Sequence, residues 1–395
     1  MAVKQVKELS DMKKLKMGMV GGGIGAFIGE VHRKAARLDG GADIVAGAFD
    51  VDPEKSLAQG QLLGLDPRRV YRTYEEMIAG ELALPEDERI DFVSICTPNH
   101  THFPIAKACL EAGFHVMCEK PMTVTVEEAE ALAALVKKTK CVFGLLHTYT
   151  GYPMVKLARD LVRSGEIGKV RKVVVHYPQG WLYKMTGREN MQAAWRTDPK
   201  RSGRAGAMGD IGTHAANLAE FVTGLKITEV LADLSRFVKG RRLDDDGSVL
   251  LRLEKGAKGV LIATQIASGK ENDFHIWVHG EKKTLIWHQE DPNRLRLLDQ
   301  EAPEQIWTRG SAYAAARSPA AARCSRTPSG HPEGFLEAFA NHYVNFCDTI
   351  RARRAHRKPT ALECDFPGVE DGVRGMKFIE AVCDSSEQGN VWKKI

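Results

Sequence analysis

In the stretch GAMGDIGTHAANLAEFVTG, Asp210, His214 and Asn217 stand at i, i+4 and i+7, so on a helix they form one line. A carboxylate one turn from an imidazole is suited to proton transfer, the imidazole taking the proton and the carboxylate orienting it. Met208, Ile211, Ala215, Leu218 and Val222 recur at +3/+4 spacing and bury a different face, and Gly224 ends the helix. A solvated polar face with a local Asp–His pair has the same spacing. A metal needs a third ligand that no motif signposts, so none is expected. A second charged pair, Glu119 and Lys120, closes the apolar run HVMC and meets Pro121, which biases Lys120 towards an extended conformation.

A cofactor makes sense of the lysine. In MVGGGIGAFIG, Gly21, Gly23 and Ala26 fill G-x-G-x-x-G/A between an apolar run and an amphipathic segment, with Gly22, Ile24 and Gly25 completing the turn. Such a turn brings backbone N–H groups and a helix N-terminus to a pyrophosphate. Asp50 ends the second apolar run 27 residues after Gly23, placed to accept from a ribose 2′-hydroxyl. FDVDPEK offers no arginine for a 2′-phosphate, and Asp52 repels one, so NAD is expected rather than NADP. Capping of the helix that starts at Pro53 is a second use for Asp50. Ligands of such sheets sit outside the carboxyl ends of the strands, where Lys120 lies. There His214 takes a hydroxyl proton as hydride leaves the carbinol carbon, Lys120 stabilises the developing alkoxide, and Asp210 orients or polarises the imidazole or the substrate.

These residues need a frame. From residue 16 to about 146, short apolar runs alternate with amphipathic ones, the pattern of a doubly wound α/β parallel sheet. Ile24, Ile28, Val31, Ala35 and Leu38 mark the inner face of its first helix. After about 150 come helices over 153–164 and 207–222 and then consecutive strand-like runs joined by tight turns, an α+β unit with a large open, mostly antiparallel sheet. The expected division is an arm over 1–15, a dinucleotide-binding domain over 16–148 and a second domain over 149–395. Residues 309–334 read as a long loop, followed by helices over 332–351 and 370–383. Across 395 residues, 56 basic and 51 acidic side chains give a net charge of +5, too mild for a polyanionic partner. The basic run at 351–358 reads as a solvated helix end rather than a nucleic-acid patch. Eight cysteines without a C-x-x-C pair, no apolar leader and no stretch near 18 apolar residues point to a soluble, cytoplasmic protein without a membrane partner.

GGGIGAFIG, TPNHTH, CEKPM, AWRTDPKRSG and GDIGTH, in this order, resemble the successive signatures of the Gfo/Idh/MocA family. The resemblance covers roughly residues 16–390. It implies a Rossmann domain, a C-terminal open sheet whose exposed face joins dimers or tetramers, and a Lys–Asp–His set matched by Lys120, Asp210 and His214. Thr97, Pro98, Asn99 and His102 match the loop lining the cofactor. Glu119 and Lys120 match the nicotinamide end, Trp195 and Arg196 a tryptophan–arginine pair beside it, and Lys120–Pro121 a bond often cis. HTYTGYP stands where an Asn-Tyr-Arg-Arg-type segment is common, Asn217 where an aspartate is, and Arg204 breaks a glycine run, all at positions expected to face the substrate. Tyr149, Trp195, Asn217 and His331 are the substrate candidates; His147, Trp181 and Tyr183 join them in a mildly polar, aromatic pocket suited to a sugar. The expected activity is NAD-dependent oxidation or reduction at a secondary alcohol of a sugar, sugar derivative or cyclitol. An NAD-dependent glycosidase or epimerase with transient oxidation, and a non-catalytic dinucleotide-binding regulator, are the alternatives.

Overall fold

The computed structural model describes residues 13–185 and 190–395, so most of the expected arm lies outside the described residues. Five strands, β1 (Leu15–Gly21), β2 (Ala42–Ala48), β3 (Phe92–Cys96), β4 (His115–Cys118) and β5 (Phe143–Leu145), form a wholly parallel sheet in the order β2-β1-β3-β4-β5. Every residue of FVSIC in β3 is buried, as a strand covered on both faces requires. β1 lies between β2 and β3, so the crossovers from β1 and β2 run to opposite sides and open a crevice at the carboxyl ends.

The first helix runs from Phe27 to Leu38 and buries Gly29, His32, Ala35 and Ala36. Ile24 and Leu38, expected on the inner face, are 49% and 44% exposed. Close approach to the glycine turn sets the inward face: a Cβ at Gly29 would lie 2.3 Å from Gly22 Cα, so that position has no room for a side chain. A helix over Tyr74–Leu82 was not expected, although its start is written in the chain. Thr73 accepts from Glu76 N–H, and Glu76 accepts from the Arg72 N–H, a capping arrangement around the first turn.

Nine strands build the second sheet: β6 (Val170–Pro178), β7 (Ile227–Ser235), β8 (Asp246–Leu253), β9 (Lys258–Thr264), β10 (His275–Gly280), β11 (Lys283–His288), β12 (Arg294–Asp299), β13 (Gln305–Thr308) and β14 (Lys393–Lys394). Their order is β13-β12-β11-β10-β6-β9-β8-β7-β14, antiparallel except for β6 beside β9. Side chains alternate as in β8, where Val249, Leu251 and Leu253 are buried while Ser248 and Leu250 are exposed. The buried face packs on the helices Pro153–Arg163 and Thr213–Thr223.

The stretch 309–334 is not a bare loop. Ser311 and Ser318 cap two short helices, Ala312–Arg317 and Pro319–Arg323. Buried Arg309 holds Glu333 at 2.8 Å, and Arg326 reaches Asp39 of the first unit with Nε–Oδ1 2.8 Å. Helix Phe335–Arg354 then returns to the first sheet, where Phe339, Tyr343, Phe346 and Ile350 share a core with Met17, Met19 and Phe92. A cut at 148 therefore leaves one layer of the first unit in the second half of the chain. The basic run at its end is neutralised locally, Arg354 by Asp91 at 2.6 Å and Arg357 by Glu363 at 2.6 Å.

Candidate active site

Three strand ends meet at the crevice. After β1 the backbone turns at Gly21, with φ 79°, where a Cβ would lie 2.7 Å from Thr97 Cγ2. A Cβ at Gly23 would lie 2.8 Å from the Phe49 carbonyl. The turn thus needs glycine to nest against the neighbouring strand ends, and it leaves Ile24 and Gly25 exposed. Beside it Val51 is 99% exposed next to Asp50. Asp52, not Asp50, caps the helix Pro53–Leu62, accepting from Glu54 and Lys55 N–H groups. Among the described residues Asp50 accepts only the Asp52 N–H, at 3.0 Å, through Oδ1. An outward-turned glycine loop, an uncommitted Asp50 oxygen and an exposed apolar shelf fit a dinucleotide.

The loop after β3 holds Thr97, Pro98, Asn99 and His102. Asn99 donates to the Ser202 carbonyl at 3.0 Å, while its Oδ1 is buried with no hydrogen-bond partner among the described residues. His102 does not line the crevice. Its ring is wholly enclosed, with Nδ1 2.8 Å from the Pro121 carbonyl and Nε2 2.9 Å from that of Thr97, so it braces one strand end against the next. Glu119 is likewise engaged from behind. It accepts the Lys120 N–H at 3.1 Å and bonds buried His32 at 2.9 Å, and His32 in turn meets the Tyr343 hydroxyl at 2.6 Å. Burial opposes the Glu119 charge, but His32 and Lys120 hold its carboxyl below the usual range.

Past the cis Lys120–Pro121 bond, the Lys120 ammonium donates to both the backbone carbonyl and Oδ1 of Asp210, at 2.6 and 2.7 Å. Gln265, at the end of β9, donates to Asp210 Oδ2 at 2.8 Å, and Arg196 Nε lies 3.3 Å from the same oxygen. The Arg196 guanidinium rests 4.3 Å above the Trp195 ring. Burial alone would raise the Asp210 pKa; Lys120 and Arg196 outweigh it and hold the carboxyl well below its usual range.

The expected Asp210–His214 pair does not form. Residues Met208–Gly212 make a π turn, in which i→i+5 bonding spreads the residues over a wider turn, so positions four apart no longer stack. Asp244 fixes this turn by accepting the N–H groups of Gly206 and Met208 at 2.6 and 2.8 Å. His214 instead meets His147, with the two Nδ1 atoms 3.3 Å apart, and the Tyr149 ring edge-on at 4.9 Å. Burial, then Lys120 and His147, push its pKa well below the ordinary imidazole value. His147 is pushed down to about 3 by burial and by Lys120. Both rings are therefore neutral at neutral pH. Tyr149 is 5% exposed and bonds the Tyr177 hydroxyl, so it backs His214 instead of lining an open pocket.

The fold thus gathers Lys120, Asp210, His214, Trp195 and Arg196 around one point, and leaves other candidates elsewhere. Asn217 lines a small cavity with Thr213, Glu220, Arg374 and Phe378, on the side of its helix that faces helix Val369–Glu387. Asn217 and His214 both stand on the regular helix Thr213–Thr223, where a three-residue step leaves Asn217 about 60° round from His214. His331 is exposed, its carbonyl held by Thr327 at 3.0 Å. Arg204 pairs at the surface with Asp384 and Glu387, at 2.7 and 3.0 Å. Tyr183 is 50% exposed. Gln265 and the Tyr149–Tyr177–Asn272–Gln179 network were not foreseen; a polar residue closing the apolar run GVLIAT was the one local sign of Gln265.

A family model described as the oxidoreductase family with NAD-binding Rossmann fold matches residues 15–147, and one described as the GFO/IDH/MocA C-terminal domain matches 155–286. The uncharacterized oxidoreductase YfiI of Bacillus subtilis (strain 168) is 35% identical over 385 residues, 96% of either chain. The structure of an oxidoreductase from Sinorhizobium meliloti is 45% identical with a TM-score of 0.87, covering 97% of this chain and 100% of that one. That of an inositol dehydrogenase homolog from Azotobacter vinelandii, complexed with NADH and myo-inositol, is 34% identical with a TM-score of 0.89, covering 97% and 98%.

Proposed function

The chain belongs to the Gfo/Idh/MocA family of NAD-binding oxidoreductases, and from that premise we propose that it moves hydride between NAD and a secondary alcohol of a cyclitol, sugar or sugar derivative. The observation that carries the reading is a charged Lys120–Asp210 pair beside a neutral His214 at the carboxyl ends of the parallel sheet. When bound, NAD supplies the hydride acceptor, or as NADH the donor. The glycine loop at 21–25, the Asp50 carboxylate and the loop at 97–99 are the groups that would hold it.

The chain's own residues handle the proton and the charge. With two Nδ1 atoms facing, one imidazole donates and the other accepts. His214 donates its Nδ1–H to neutral His147, which leaves His214 Nε2 as an unprotonated base for a substrate hydroxyl. The Lys120 ammonium, fixed by the Asp210 side chain and carbonyl, stabilises the alkoxide that forms as the proton departs. Asp210 acts on the lysine rather than on the imidazole, and Gln265 and Arg196 hold it in place. The polyol bound by the Azotobacter relative supports a cyclitol or pyranose as the substrate class. The outer face of the second sheet, where Leu250 and Trp277 are 46% and 41% exposed, supports pairing of copies through that face.

Following NADH absorbance with NAD and a panel of cyclitols, pyranoses and sugar acids tests the reading. Reduction with one of them supports it. Silence across the panel by a protein that binds NAD favours transient-oxidation glycosidase or epimerase chemistry, or a regulator.

A further inference from the structure

Outside the residues used in that reaction, three side chains on the outward face of the second sheet bring one ligand atom each to within 4.8 Å of one another: Asp273, His275 and His288. The sheet register dictates this. His275 opens β10 and His288 closes β11, and they are direct partners across the antiparallel ladder. Asp273 precedes His275 by two residues, so it projects from the same face. Its Oδ1 lies 3.4 Å from His275 Nδ1 and also hydrogen-bonds His288 Nε2. Lys270 takes the other oxygen, Oδ2, at 2.5 Å, and leaves Oδ1 to the two imidazoles. Trp277 stacks on the His275 ring with centroids 5.6 Å apart, and His176 of the adjacent strand closes in from the opposite side at 5.2 Å. The carboxylate is 10% exposed and His288 41%, so the cluster is held firmly at its base and open at its mouth.

We propose that Asp273 Oδ1, His275 Nδ1 and His288 Nε2 form a binding site for a borderline divalent cation of the zinc type. Bonds of about 2.0–2.1 Å to a tetrahedral ion place its donors about 3.4 Å apart, the separation already present between Asp273 and His275. Two imidazoles and one carboxylate form a donor set that favours such an ion over hard cations, with water as the fourth ligand. On entry the ion takes the place of the hydrogen between His288 Nε2 and Asp273 Oδ1, and the imidazole stays neutral by carrying its proton on Nδ1. No metal was expected anywhere in the chain; these three donors come together only through strand pairing, on the face of the sheet away from the Asp210 helix.

Asn272 and Phe274, which flank Asp273, face inward and contact Tyr149, so the histidines are the residues to replace. The full chain, stripped with a chelator and titrated with zinc chloride in a calorimeter, should bind one zinc per chain. A His275→Gln, His288→Gln double variant should lose that site while keeping its NAD binding and thermal midpoint. Should the double variant not fold, His288→Gln alone, altered at a half-exposed position, should weaken zinc at least about tenfold. The proposal is overturned by a wild-type chain without saturable zinc binding, or by substitutions that leave stoichiometry and affinity unchanged.

Discussion

Lys120 is the residue on which most of the site converges, since its ammonium has two partners on Asp210 and its N–H a third on Glu119. Lys120→Ala should lower turnover by about 10²–10⁴-fold with NAD affinity within a few-fold of wild type, as titration by fluorescence would show. Gln265→Leu removes one neutral donor to Asp210 and should cost less, about tenfold in kcat. The imidazole predicts a pH profile. His214 must be neutral to accept a proton, and its pKa is lowered, so the acidic limb of kcat/KM for alcohol oxidation should lie below pH 6.5. His147 is one cause of that lowering, so His147→Ala should move the limb upward; an unmoved limb would sever His147 from the base. Asp50→Ala should erode discrimination between NAD and NADP, read as the ratio of their kcat/KM values.

At the scale of elements, the π turn at Met208–Gly212 decides where Asp210 and His214 point. Gly206 sits where a Cβ would lie 2.1 Å from the Asp244 carbonyl, a backbone atom with little room to give. Gly206→Ala should therefore cost about 1–3 kcal/mol in urea unfolding and lower kcat through a displaced turn. The same turn marks the limit of what was legible beforehand. Elements whose signals are local could be read: the glycine loop, the apolar strands, CEKP, and the helix carrying Asp210 and His214. The partner of Asp210 could not, because the helical spacing implied His214 and the fold supplied Lys120, 90 residues away, and Gln265, 55 residues away. His32 looked like one more residue of an amphipathic helix, and only its meeting with Glu119 and Tyr343 makes it part of the site's foundation. Thr73 and Glu76 carried a readable cap that was passed over, and β12 a readable alternation.

For the whole molecule, acid is the predictable stress. His147 and His342 are pushed down to about 3 and His115 to about 4, each by burial first and by neighbouring cations second. All three are neutral in the fold and gain protons more readily when unfolded, near pH 6.5. Their contribution is complete above that pH and is lost as pH falls towards 4 and below. At pH 5 each costs about 2 kcal/mol, so the urea midpoint should drop steeply between pH 7.5 and 5; a flat profile would mean that these rings take protons without unfolding. The assembly is tested separately. If the outer sheet face joins copies, Leu250→Glu should shift the mass measured by light scattering towards that of the 43.6 kDa chain.

The most direct test of the central claim is NADH formation, monitored by absorbance, for wild-type and Lys120→Ala protein side by side across a panel of cyclitols and pyranoses. Wild-type protein should form NADH with at least one polyol, and the variant, while still binding NAD, should do so at a rate at least about 100-fold lower. Equal rates in the two proteins, or a wild type that binds NAD and reduces it with none of the polyols, would contradict the claim.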